Sequence, residues 1–335
     1  MSEADAAAAD LFWLAPQRAA LKQARAQGRF PHALLIQDVP GGGGEQLALI
    51  AAQTRLCARP DAPCGACPDC ERVARRAHPD LWLVAPEEES RQIRVDQIRA
   101  LTDTLALSGH GATGTVAILD PADMLNANAS NALLKTLEEP RPGVLIVLVT
   151  MAAARLSATI RSRCQRLAVR VPDLAASAAW LHRHRGPGAW EEVLEVLGNA
   201  PLRALAVEPA QLLRARAETH AQLASALAGT LDMPAAAAAW ARDGFELRLL
   251  CAENWITRCM QERLRPGGHM TELHSGAHLP AVNSSMNMRN LIRLADTLHE
   301  LRRLAATSVN KSLAVEQFLW QVRAARTPQV VQGSG

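Results

Sequence analysis

Four of the seven cysteines fall within fourteen residues, Cys57, Cys64, Cys67 and Cys70, in the run CARPDAPCGACPDC. Zinc takes four thiolates in a tetrahedron. Paired two-residue spacings, with Pro63, Gly65 and Pro68 as turn formers, let successive sulfurs converge on one point. A pair of disulfides is disfavoured in a reducing compartment. The common iron–sulfur spacing needs one more cysteine soon after Cys70, which the chain lacks. The set therefore predicts a structural Zn2+, since four cysteines leave no open coordination position for catalysis. His78, in RRAHPDLW, is an alternative fourth ligand in place of Cys57; a turn-forming role before Pro79 is the preferred reading.

A second group of residues points at phosphate chemistry. The stretch VPGGGGEQL, residues 39–47, joins an apolar run, ALLI at 33–36, to a helix-like segment, which is where backbone N–H groups and a helix N-terminus cradle phosphate. A working loop reads G-x-x-x-x-G-K-[ST], its Lys reaching the β- and γ-phosphates and its hydroxyl holding Mg2+. Gly41 and Gly43 belong to a degenerate loop, in which Gly44 stands where the Lys belongs and Glu45 where the Ser or Thr belongs. The nearest lysine in sequence is Lys22. A carboxylate beside phosphates repels them by a few kcal/mol, on the order of 4 at 4 Å and ordinary effective dielectric. Asp120, closing the run TVAILD, has the position of a Mg2+-orienting acid, but Pro121 follows where a water-activating Glu is expected. Asp120 reads equally as the first residue of a turn, DPAD.

Positioning these groups calls for an α/β scaffold. The apolar runs 33–36, 81–84, 115–120 and 143–150 have the texture of strands buried on both faces. Helix-period segments at 45–56, about 94–107 and about 128–139 lie between them, the last stopped by Pro140 and Pro142. This alternation predicts an α/β fold, a mainly parallel sheet with helices on both faces, whose ligand edge is the carboxyl end of the strands. After about residue 170 strand-like runs vanish and Ala, Leu and Arg recur at helical spacing. The predicted division is an α/β domain at 1–169 carrying the cysteine insertion at 57–70, a small helical domain at 170–207, a helical bundle at 208–327 and a frayed tail at 328–335. Breakers at 171–173, 185–188, 198–201 and 265–268 mark the helical half.

Composition narrows the class. A chain of 335 residues exceeds one ordinary core, and 49% hydrophobic with 21% charged residues reads as soluble and globular. The acidic start, MSEADAAAAD, lacks the basic and apolar regions of a secretory signal, so a cytoplasmic location is expected. A net charge of +3 permits nucleic-acid contact without requiring it. Aromatics are only 3% of the chain, which argues against a stacking platform for single-stranded bases.

The run NALLKTLEEP at 131–140, followed by LVT at 148–150 and TIRSRC at 159–164, resembles the signature of bacterial clamp-loader subunits. With the cysteine cluster, the degenerate loop, FPHALLIQ at 30–37, HPD at 78–80 and NKSLAVEQFLWQV at 310–322, the chain is similar to the delta-prime family of DNA polymerase III. The motifs within 115–164 are specific; the last 120 or so residues match in helical character and length. The resemblance implies a AAA+ P-loop-like domain, a helical lid and an all-α collar. It implies assembly with the ATPase subunits (tau/gamma) and delta into a ring that loads the β sliding clamp on primed DNA, with no membrane role. It also implies no ATP bound or hydrolysed in cis, in keeping with Gly44, Glu45 and Pro121. Carried over residue by residue, Arg163 is an arginine finger acting in trans on a neighbouring subunit's ATP, with Arg161 supporting its loop. Thr150 falls at the sensor 1 position and Arg203, in GNAPLRAL, at a sensor 2 position; both are expected to be vestigial. The Glu138–Glu139 pair, at a helix end before proline, reads as a solvated face. Two other readings are an active clamp-loader ATPase of the tau/gamma type, which binds and turns over Mg-ATP alone, and a zinc-dependent DNA-binding scaffold, whose duplex binding depends steeply on salt.

Overall fold

A computed structural model of the chain describes residues 10–87, 90–107, 114–264, 286–305 and 310–326. The expected tail at 328–335 and the break at 265–268 lie outside the described residues. The chain divides into two compact units, Met1–Asp173 with Ala200–Leu202, and Leu174–Asn199 with Arg203–Gly335.

The first unit is built on five parallel strands, β1 (Ala33–Gln37), β2 (Leu81–Val84), β3 (Thr115–Leu119), β4 (Val144–Thr150) and β5 (Gln165–Ala168), in the order β2-β3-β4-β1-β5. Helices α1 (Ala15–Ala26), α2 (Gly44–Leu56), α3 (Pro68–Ala74), α4 (Val95–Leu107), α5 (Ala127–Glu138) and α6 (Ala158–Arg163) alternate with them. Every residue of β3 and β4 is buried, which is why these two read as unbroken apolar runs. Leu35, Leu119, Ile146 and Leu148 pack with Ile98 and Leu101 of α4 and Leu133 and Leu137 of α5. Each such side chain contributes about 1.5–3 kcal/mol relative to an exposed one. Register places Gln37, the last residue of β1, beside Thr150, the last of β4, so the chain leaves both strands at one sheet edge.

Two strands depart from the expectation. LWLV was expected to be buried on both faces, but β2 is an edge strand with Trp82 40% and Leu83 47% exposed. Its apolar run reflects composition rather than enclosure. The sheet also has a fifth strand that periodicity misses. β5 lies at the opposite edge with Gln165, Arg166 and Ala168 exposed, so no apolar pattern marks it.

Local chemistry sets the helix ends that matter for the site. α2 starts after Gly43, whose φ of +99° only glycine adopts without strain. α5 starts at Asn126, whose side chain accepts from the Ala129 amide at 2.8 Å, and ends one residue short of Glu139, before Pro140. Ser157 caps α6 in the same way, accepting from the Ile160 amide at 3.2 Å.

The second unit is helical throughout its described residues: α7 (Leu174–Arg185), α8 (Trp190–Leu197), α9 (Pro201–Leu205, whose first two residues belong to the first unit), α10 (Pro209–Ala228), α11 (Met233–Arg242), α12 (Phe245–Leu264), α13 (Met288–Ala305) and α14 (Lys311–Ala324). The chain has few aromatics, and three of them, Trp240, Trp255 and Phe318, anchor its core beside Leu294, Leu298 and Leu319. A polar seam ties α8 to α10 and α12. Arg216 pairs with Glu192 at 2.6 Å, Arg258 with Glu195 at 3.6 Å, and Asn254 Nδ2 donates to the Glu195 carbonyl at 2.8 Å. His220 sits in this seam; burial, with Arg216 and Arg258 adding repulsion, lowers its pKa to about 4. No described helix is long and apolar enough to cross a membrane.

Candidate functional site

The cysteine module grows from the C-terminal end of α2. Cys57 caps that helix, Cys64 follows a turn, Cys67 is the N-cap of α3 and Cys70 lies in its first turn. The folded chain brings all four sulfurs within 4.8 Å of one another. Cys57 to Cys64 is 3.7 Å, Cys57 to Cys67 is 3.8 Å and Cys64 to Cys70 is 3.9 Å. A tetrahedron with metal–sulfur bonds of about 2.3 Å has edges of about 3.8 Å, so these thiols are spaced to hold a metal ion. Three of the four are buried, with Cys64 the partly exposed one. The Ala66 amide lowers the Cys64 pKa to about 6, whereas burial pushes Cys70 up to about 12. Gln53 Nε2 donates to the Cys70 carbonyl at 2.9 Å, fixing α3 against α2.

His78 is not a member of this set. Its Nδ1 accepts from the Asp80 amide at 3.1 Å and its Nε2 lies 3.6 Å from Asp69, so the buried ring forms the turn into β2 and braces the residue before Cys70. The alternative of His78 in place of Cys57 is thereby set aside: Cys57 is with the other sulfurs and His78 is engaged elsewhere.

The glycine loop lies at the carboxyl end of β1, as the placement of the motif requires. Two of the turn's amides are taken by a side chain. Asp38 Oδ2 accepts from Gly44 N at 2.9 Å and Oδ1 from Val39 N at 2.8 Å, so the carboxylate sits inside the turn. A Cβ on Gly42 would lie 2.7 Å from Asp38 Oδ1, and one on Gly44 2.6 Å from Asp38 Cγ. The outer side is packed too: a Cβ on Gly41 would lie 2.9 Å from the Ala200 Cβ, and one on Gly43 would lie 2.9 Å from Leu11 Cδ1. Trp13 Nε1 donates to the Gly42 carbonyl at 2.7 Å and Leu202 N to the Gly41 carbonyl at 3.2 Å. Glu45 turns away to Arg76, whose Nη2 and Nε donate to it at 2.6 and 3.1 Å.

Asp38 was missed by reading from the glycines, although the spacing holds the signal. Counting back from Gly44 and Glu45 in G-x-x-x-x-G-K-[ST] puts Asp38 at the first glycine. A second overlooked residue is Asp123. Thr150 Oγ1, 1% exposed in residue terms, donates to Asp123 Oδ1 at 2.6 Å and accepts from the Ala152 amide at 3.0 Å. Asp120 completes an acidic sheet edge: burial first, then Glu45, Asp38 and Asp123, raises its pKa to about 6. Pro121 opens the short turn that carries Asp123.

Arg163 ends α6 with a side chain 34% exposed. Its Nη2 lies 2.6 Å from Glu138 Oε1 at the end of α5, and its Nη1 donates to the Thr159 carbonyl at 3.0 Å. Glu138 thus has a partner that its reading as a solvated face did not include. Arg161 is half-buried on the same helix, its buried Nε unpaired. Arg203 is exposed on α9.

Residues 15–173 match the protein-family model described as DNA polymerase III, delta subunit. The chain is 38% identical over 193 residues to the DNA polymerase III subunit delta' of Pseudomonas aeruginosa, a stretch covering 56% of this chain and 59% of that protein. It is 29% identical over 328 residues to the subunit delta' of Escherichia coli, covering 95% of this chain and 97% of that protein. A shorter stretch of 148 residues is 35% identical to the subunit tau of Bacillus subtilis, covering 44% of this chain and 26% of that protein.

Proposed function

We propose that the chain is a member of the delta-prime family of bacterial DNA polymerase III clamp-loader subunits, to which its matches point, and that it is a non-hydrolysing, stator-like subunit that serves a neighbour's ATP site. In this reading residues 1–169 are the AAA+ domain, 170–207 the lid and 208–327 the collar. The subunit assembles in the cytoplasm with the tau/gamma ATPases and delta to load the β clamp on primed DNA.

The observation that carries the reading is the loop itself. Gly44 and Glu45 replace the Lys and hydroxyl residue, and Asp38 already holds the Gly44 amide at 2.9 Å. Asp38, Asp120 and Asp123 line the strand ends with carboxylates that repel a nucleotide's phosphates, while Glu45 is held by Arg76. Thr150, bonded to Asp123, has its hydroxyl committed and is vestigial as a sensor, and exposed Arg203 likewise has no nucleotide to read.

Arg163 is the group that acts outward. A guanidinium supplied in trans neutralises charge that develops in phosphoryl transfer, an effect that reaches ~10³–10⁵ in rate. In the isolated chain it rests on Glu138. A partly exposed ion pair of this kind is worth about 0–1 kcal/mol, so exchanging Glu138 for a neighbour's γ-phosphate costs little. The cysteine set fits a structural Zn2+, whose thiolate ligands would be Cys57, Cys64, Cys67 and Cys70. It would staple an insertion with little core of its own.

Direct titration of the isolated chain with Mg-ATP tests the proposal. No binding and no turnover are expected. Micromolar affinity with turnover would favour the second reading, an active ATPase of the tau type, which draws its support from the 148-residue similarity to a tau subunit.

A further inference from the structure

We infer that Asp38 is a built-in plug of the glycine loop: its carboxylate, and not merely the missing lysine and hydroxyl, keeps the loop closed to nucleotide. The inference rests on the reading that this chain takes no nucleotide in cis, and it names the residue that enforces this.

A phosphate-binding loop works because glycines let the backbone fold around an anion with its amides turned inward. Here that anion is supplied by the chain. The two Asp38 oxygens divide between two amides, Val39 at 2.8 Å and Gly44 at 2.9 Å, the second being the first residue of α2. These bonds are charge-assisted and set in a half-buried pocket, so they hold more firmly than neutral ones. Sterics agree with the bonding. The side chain lies so close over Gly42 and Gly44 that a Cβ on either would come within 2.7 Å of Asp38 atoms. A lysine placed at 44 therefore meets the Asp38 carboxylate before it meets any phosphate.

The motif count gives the same answer from the sequence side, since Asp38 occupies the first glycine position, where a side chain enters the loop's interior. Repairing positions 44 and 45 alone leaves the plug in place. Repairing position 38 as well should open the loop.

The test compares three forms of the full chain by direct titration with Mg-ATP: native, Gly44→Lys with Glu45→Thr, and the same pair with Asp38→Gly. The native chain and the pair should show no measurable binding, and the triple variant should bind at least about 100-fold more tightly than the detection limit that this sets for the pair. Equal affinity of the pair and the triple variant would overturn the plug, as would a folded triple variant that stays silent. Binding by the native chain would instead overturn the cis-empty reading, a distinct outcome. Should the triple variant fail to fold, Asp38→Asn in the otherwise native chain gives an independent reading. Amide exchange at Gly44 should speed up by about tenfold or more, while Leu47, bonded to the Gly43 carbonyl at 2.9 Å, stays protected. Unchanged exchange at Gly44 would overturn the proposal.

Discussion

Replacing Asp120 by Asn should stabilise the protein at neutral pH and do almost nothing in acid. The carboxyl follows β3 among three other acids, and its pKa is raised from 3.8 to about 6, chiefly by burial, then by Glu45, Asp38 and Asp123. A folded pKa above the unfolded one means that the folded chain holds the extra proton between about pH 4 and pH 6. Stability from this group is therefore fully present below pH 4 and is lost as pH rises through 6. Two units correspond to about 3 kcal/mol, which partial exposure to solvent reduces to about 1–2 kcal/mol. Asn fills nearly the same volume without the charge. Urea unfolding of both forms at pH 4 and pH 7.5 measures the difference. Asp120→Asn should gain about 1–2 kcal/mol at pH 7.5 and less than about 0.5 kcal/mol at pH 4. An Asn form equal to or weaker than the native chain at pH 7.5 would refute the reasoning.

Purified protein should carry one zinc per chain by elemental analysis, with cobalt replacement giving the intense thiolate-to-metal absorption of a tetrahedral four-sulfur site; a metal-free, fully folded chain would count against it. The His220 pKa is lowered to about 4 by burial, so the unfolded chain binds the proton more readily below pH 6.5. His220 should accordingly cost about 3 kcal/mol of stability between pH 6.5 and pH 4, partly offset by Asp120 over the same range, and His220→Gln should flatten that limb of the denaturation profile. Glu138→Gln should leave thermal stability within about 0.5 kcal/mol of the native chain, because its bond to Arg163 is half in solvent.

The parts of the fold governed by burial were legible in the sequence. The strands at 33–36, 115–120 and 143–150 are fully enclosed over nearly all their length, so apolar patterning reports them directly. β5 escaped because an edge strand held mainly by backbone pairing to β1 needs no apolar pattern. The cysteine cluster was legible because ligand spacing is local: the four residues lie within one short loop and the helix turns that flank it. Asp123 and Glu138 were harder, since each acquires its role from a partner brought up by the sheet or by an adjoining helix, whereas Asp38, whose partners Val39 and Gly44 follow it within the same loop, was legible from the motif count. Thr150 meets Asp123 from across 27 positions and Arg163 meets Glu138 across a strand, distances that no local window spans.

The central claim, that this chain lends an arginine to a neighbour's nucleotide while using none itself, is tested most directly by Arg163→Ala in a reconstituted loader. Assembly should remain intact while clamp-stimulated ATP hydrolysis at the adjoining site falls by about 10³ or more. Hydrolysis at the native rate in a fully assembled complex would contradict it.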